Sequence, residues 1–129
     1  MKWNNDFRYD LMLGQIKEKQ VADILENKKI EIKTDYLAHK TGNIAIEYES
    51  RGKPSGIATT EADYYIYIIP HALIKDTMLI LDVKELKKIT RLYYKINRVC
   101  WMGDENTSMA VLIPIDRLFK AGENIPSNQ

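Results

Sequence analysis

A chain of 129 residues with 45% apolar content is long enough for one domain around one ordinary core, expected to run over 1–129. Its net charge of +1 excludes a global basic field, so any contact with nucleic acid must come from a local patch. The single cysteine, Cys100, excludes an intrachain disulfide and a cysteine-built zinc cluster. With no signal-like apolar run in Met1-Lys2-Trp3-Asn4-Asn5-Asp6 and no apolar stretch of transmembrane length, an intracellular, cytoplasmic protein without a membrane partner is expected.

From Asp10 to Leu25 the apolar residues Leu11, Leu13, Ile16, Val21, Ile24 and Leu25 fit a helix, with Gly14 a weak point and Asn27 able to end it. Two alternating segments follow. In Lys29 to Asp35, Ile30, Ile32 and Thr34 oppose Glu31, Lys33 and Asp35; in Asn43 to Glu49, Ile44, Ile46 and Tyr48 oppose Ala45, Glu47 and Glu49. Period-two alternation with β-branched residues reads as two half-buried strands, and Thr41-Gly42-Asn43 between them is a turn signal. Paired as a hairpin, with residue numbers summing to 78, the strands would set Glu31 opposite Glu47 and Asp35 opposite Asn43.

Ser50-Arg51-Gly52-Lys53-Pro54-Ser55-Gly56 is a loop, and Thr59 or Thr60 would cap a short helix entering Glu61-Ala62-Asp63. The uncharged run Tyr64 to Ile69 reads as an interior strand stopped by Pro70, its tyrosines as core. Thr77 to Leu81 is a further strand. Asp82 would cap a helix from Val83 to about Ile96 with Leu86, Ile89, Tyr93 and Ile96 on one face. Met102 to Ser108 reads as a polar loop, Met109 to Ile113 as a last strand, and Asp116 to Lys120 as a short final helix. The order implies an α+β or α/β domain, a small mixed sheet flanked by helices.

The charged face of the hairpin is the candidate site. Four carboxylates crowd one lysine, and like charges on neighbouring strands destabilise unless a cation relieves them. Hard carboxylate oxygens suit Mg²⁺ or Mn²⁺, and a lysine beside them can orient a water or meet the charge that develops on a phosphate. The simpler reading is a solvated amphipathic hairpin. Arg51, Lys53 and Ser55, with Thr59 and Thr60, supply cations and hydroxyls beside that face for a phosphate backbone, although an ordinary turn and helix capping explain them equally. The cations of Lys84 to Lys95 are a solvated helix face or a secondary DNA contact, and His39 and His71 do not make a zinc site by spacing.

The order of helix, strand with Glu31-Ile32-Lys33, helix and the strand Tyr64 to Ile69 resembles the PD-(D/E)XK nuclease superfamily, with a restriction-endonuclease-like fold. The segments Ile30 to Asp35, Thr41 to Glu47, Gly52 to Gly56, Thr59 to Tyr64 and Met102 to Ser108 with Leu112-Ile113-Pro114 are similar to those of small phage-type members. The resemblance implies a metal-dependent DNA endonuclease or exonuclease acting in host cytoplasm, in phage DNA repair, recombination or processing. Glu31 and Lys33 match the acid and lysine of the (D/E)XK element. The family's other acid has no counterpart before Glu31. Either Asp35 or Glu47 supplies it, or Glu31 or Asp35 is the first acid and Glu47-Tyr48-Glu49 the second element; the former keeps the lysine. Glu31, Asp35 and Glu47 would then hold Mg²⁺ or Mn²⁺, with Glu49 auxiliary. Glu18 would be a further acid on the first helix, with Val21, Ala22 and Leu25 on its buried side. Two partnerships remain open: a catalytically inactive nuclease-fold module that binds DNA or serves assembly, and a homodimer using apolar Tyr and Trp residues.

Overall fold

Helix α1 (Trp3–Asn27) and strand β1 (Ile30–Thr34) open the fold in a computed structural model that describes residues 3–71 and 73–119. After them come α2 (Ala38–Thr41), β2 (Asn43–Ser50), β3 (Lys53–Pro54), β4 (Tyr64–His71), β5 (Lys75–Asp82), α3 (Val83–Lys95), β6 (Val99–Met102) and β7 (Ser108–Pro114). Short 3₁₀ turns at Gly56–Ala58, Asp104–Asn106 and Ile115–Phe119 complete the order. The result is a mixed α+β fold with helices beside two sheets, ordered β1-β4-β5 and β3-β2-β7-β6. Among the described residues no helix is long and apolar enough to cross a membrane.

The expected hairpin does not form. β1 runs parallel to β4, with Glu31 opposite Tyr65 and Lys33 opposite Tyr67, while β2 runs antiparallel to β7 in the other sheet. The cause lies in the eight residues between them. Asp35 Oδ1 accepts the backbone N–H groups of Leu37 and Ala38, both at 3.0 Å, and starts the single turn of α2. Gly42, at φ 74°, ends that turn by donating its N–H to Ala38. A capped turn closed by a left-handed glycine sends the chain across to the second sheet where a tight reversal would have returned it to β1.

The faces of β1 are also reversed from the expected ones. Ile32 is 62% exposed, whereas Glu31 and Lys33 are half-buried. The inner side of this sheet carries Tyr65, Tyr67 and Ile69, all buried, and pairing in register with Tyr65 and Tyr67 turns Glu31 and Lys33 inward with them. β2 keeps its expected faces, with Ile44 and Ile46 fully buried.

The core lies between the sheets and α3, where Ile44, Ile46, Val111 and Ile113 meet Val83, Leu86 and Tyr93. α3 follows its pattern: Leu86 and Tyr93 are buried, Ile89 and Ile96 pack at the margin, and Asp82 Oδ1 accepts the Glu85 N–H at 3.1 Å as N-cap. No helix forms at Thr59 to Asp63. The Thr60 hydroxyl accepts the Ala62 N–H but donates away to Glu31, and Asp63 accepts the Lys29 N–H at 2.9 Å and so pins the start of β1. The final helix is a 3₁₀ turn ending at Phe119, and Lys120 lies outside the described residues. β3, α2 and β6 were not expected; each is four residues or fewer, too short for periodicity to register.

Candidate active site

β1 and β2 come from different sheets, yet Lys33 of the one and Glu47 of the other line one cleft. The cleft encloses about 610 Å³, and Lys33, Asp35, Glu47, Tyr65 and Tyr67 are among the residues lining it. Lys33 Nζ sits 2.6 Å from Glu31 Oε2, and the Thr60 hydroxyl donates to Glu31 Oε1 at 3.0 Å. The Ser55 hydroxyl donates to Glu47 Oε2 at 2.9 Å, and the other Glu47 oxygen takes no hydrogen bond from the described residues. Two side chains expected to touch phosphate, Ser55 and Thr60, therefore aim the two carboxylates.

Gly56 makes the Ser55 contact possible. Its φ is +54°, and a Cβ there would fall on the carbonyl oxygen of Glu47. The loop backbone thus lies against β2 at the residue whose carboxylate Ser55 holds. On the other side of β2 the ladder to β7 shifts between Glu47 and Glu49, a bulge that leaves Tyr48 as the extra residue. Bulges of this kind re-aim side chains at sheet edges and beside sites.

Electrostatics bind the cluster together. Burial pushes the Glu31 carboxyl up, but the hydrogen bonds from Lys33 and Thr60 and the Lys33 charge outweigh it, so its pKa falls below the ordinary value. Burial pushes Lys33 down, and the contact with Glu31, helped by Tyr65 and Glu47, reverses that and raises it. Lys33 is therefore a cation at neutral pH and a poor general base. Burial raises the Tyr65 phenol, and its hydroxyl is enclosed with Thr60 near but no partner in hydrogen-bonding geometry. A buried unpaired hydroxyl costs about 1–3 kcal/mol unless something reaches it.

Asp35 is differently employed. Besides capping α2, its Oδ2 accepts the Ala45 N–H at 3.1 Å, so both oxygens serve the backbone. Among the described residues no group of three or more His, Cys, Asp or Glu is arranged to hold a metal ion. Replacing Asp35 with alanine should therefore unsettle the fold: three amides lose their acceptor, and we expect a loss of about 2–4 kcal/mol in urea unfolding. A metal-ligand role would instead leave stability unchanged and remove activity.

The remaining expected residues fall outside this cluster. Glu18 stands on α1, where every residue from Phe7 to Asp23 is exposed; Val21, Ala22 and Leu25 are exposed too, and Ile24 is the buried one. Arg51 and Lys53 are exposed at the β2–β3 turn and do not line the cleft. Thr59 donates only locally, to Gly56, and Glu49 is half-buried beyond the bulge. Lys87 and Arg91 border a separate cavity of about 280 Å³ with Tyr48 and Tyr94, whose rings meet edge to face at 5.3 Å. His39 and His71 also meet edge to face, centroids 6.3 Å apart, with no third metal-ligating residue among the described ones.

Sequence reasoning missed Tyr65, Tyr36 and Trp101. Tyr65 was assigned to the core, and it is both core and cleft floor. Tyr36 and Trp101 border the cleft and are 71% and 60% exposed. Comparison with known proteins finds no family model, no curated protein and no solved structure that matches this chain.

Proposed function

We propose that the cleft hydrolyses DNA phosphodiester bonds with the help of Mg²⁺ or Mn²⁺. The observation that carries this reading is the inward turn of the Glu31–Lys33 pair, which brings a permanent cation into a cleft that also holds the Glu47 carboxylate. A merely solvated strand face would keep those charges outside.

The donor set fits a hard divalent cation of a particular kind. Mg²⁺ is commonly held by one or two carboxylates, its own waters and the phosphates of the substrate. Glu47 lines the cleft with one oxygen free, Glu31 would join it through oxygens that Lys33 and Thr60 hold, and Asp35 is committed to backbone amides. The ion would supply Lewis-acid charge and an acidified water. Lys33 meets the negative charge that builds on the non-bridging oxygens, and the unpartnered Tyr65 hydroxyl is a donor for the same group. Water adds to phosphorus, the ester bond breaks, and the leaving oxygen takes a proton. Thr60 and Ser55 hold the carboxylates in place throughout.

Tyr36 and Trp101 at the cleft border suit unpaired or frayed bases, whose stacking on an aromatic ring contributes about 1–3 kcal/mol per base. Trp101→Ala should weaken binding of a single-stranded oligonucleotide roughly 5- to 100-fold. Titration by fluorescence anisotropy checks it, and unchanged affinity rejects the stacking role.

The alternative reading is a nuclease-fold module that binds DNA without cutting it. The engagement of Asp35 by three amides favours it, since it removes one expected ligand. Supercoiled, linear, single-stranded and branched DNA, and an RNA control, incubated with Mg²⁺, Mn²⁺ or EDTA decide between the two. Metal-dependent cutting supports the hydrolase; retained DNA binding with no cutting under any condition supports the module.

A further inference from the structure

The chemistry of the cleft leaves the second cavity, of about 280 Å³, without a role. One of its walls is α3. Lys87, Thr90, Arg91 and Tyr94 follow one another at i, i+3, i+4 and i+7, the spacing of a single helix face. The other wall is the second sheet and the 3₁₀ turn beside it, through Tyr48, Val111 and Ile57. Ile57 and Val111 belong to the core, 5% and 0% exposed, so they make a closed aliphatic floor. The Thr90 hydroxyl is spent on the Leu86 carbonyl at 2.6 Å. The Tyr48 and Tyr94 rings, edge to face, supply an aromatic side. Water is a poor filling for such a space. About nine molecules would fit at roughly 30 Å³ each, and each needs two to four polar partners.

Both charged residues of the lining are cations, and no carboxylate lines it among the described residues. Lys87 is half-buried and Arg91 exposed, and neither has an ion pair or a side-chain hydrogen bond among the described residues. Glu85, the one acid of α3, is taken by Lys88 at 3.2 Å. Lys87 also borders a hollow with Glu61, Asp63 and Asp82, none of which reaches it as an ion pair. The complementary occupant brings an anionic group on an apolar body. A nucleotide meets only the first demand, because the donors and acceptors of its base edge would lie against Ile57 and Val111 without partners. A carboxylate matches the planar guanidinium of Arg91 with two parallel hydrogen bonds. An aromatic ring extends the edge-to-face packing that Tyr48 and Tyr94 begin. The size agrees, since small-molecule pockets begin near roughly 300 Å³.

We infer that the cavity between α3 and the second sheet binds an aromatic carboxylate, its ring on Ile57 and Val111 against the two tyrosines and its carboxylate on Arg91 and Lys87. The cavity and the cleft have no lining residue in common, so this binding stands whether or not the cleft cuts DNA.

Naphthoate is the probe, titrated into the isotope-labelled full chain and followed by backbone amide chemical shifts. It should bind saturably with a dissociation constant between about 10 µM and 1 mM, moving the amides of Ile57, Ala58 and Arg91. Its neutral counterpart, naphthamide, should bind at least ~10-fold more weakly, for want of the charged pairing. The double variant Lys87→Gln, Arg91→Gln should erase that difference and leave the rest of the spectrum in place, since neither side chain has a partner to lose among the described residues. Tyr94→Ala, at a ring that is 53% exposed, should weaken acid and amide alike. No saturable shift in the millimolar range, shifts confined to the exposed apolar side of α1, or equal binding of acid and amide by the wild type overturns the proposal. Tighter binding of adenosine monophosphate than of naphthoate overturns it in favour of a phosphate site.

Discussion

Lys33→Ala should lower the rate of DNA cleavage by about 10³-fold, some 4 kcal/mol of transition-state stabilisation, and leave the protein folded. The side chain sits 2.6 Å from Glu31 and a third exposed, so its ion pair adds about 1 kcal/mol or less to stability. The pH dependence separates a charge role from a base role. Glu31 is lowered in the fold, so its contribution is present above the unfolded glutamate pKa and fades as pH falls through the folded value. Lys33 is raised, so its contribution is complete below the unfolded lysine pKa and fades as pH climbs through the folded value. Between roughly pH 6 and 9 neither group titrates, and the ratio of wild-type to variant rates should stay flat. Single-turnover kinetics over that range check it. A folded variant that cuts at the wild-type rate sinks the proposed chemistry, and a ratio that collapses toward acid would make Lys33 a base.

Gly56→Ala should have the largest effect on the fold, about 3 kcal/mol or more, from a residue with no functional group. Its φ of +54° disfavours any Cβ, and the new carbon would strike backbone, which cannot swing aside as a side chain tip can. Relief requires the loop to lift from β2, and Ser55 would then leave Glu47. Stability and cleavage should fall together, whereas Ser55→Ala should reduce cleavage with a much smaller loss of stability. Paired urea melts and cleavage assays check this. A Gly56→Ala protein within 1 kcal/mol of wild type would show that the close approach carries no strain.

The helices α1 and α3 and the strands β2, β4, β5 and β7 were legible because each is long enough for its periodicity to speak. Residues Glu31, Lys33 and Glu47 were legible for the same reason, as charges at alternate positions. What sequence could not give was the partner of each strand. Asp35 shows why: its carboxylate was read as a metal ligand, but as a cap for α2 it decides where β2 goes. A local side-chain-to-backbone bond overrode the hairpin that alternation suggested. The inward face of β1 was hidden likewise, since alternation states that two faces differ and leaves open which one meets the core. Ile32 outside and Lys33 inside follow from the pairing of Glu31 and Lys33 with Tyr65 and Tyr67, thirty-four residues further on.

Ala45 carries a last consequence. Its N–H donates to Asp35, and its carbonyl accepts the Tyr67 hydroxyl at 3.0 Å. β2 and β1 share no ladder, so at this point the two sheets are fastened by a pair of side-chain latches in place of backbone rungs. Each latch rests on one side chain, so a single substitution at Asp35 or Tyr67 removes one of them, which no side-chain change does to a ladder rung.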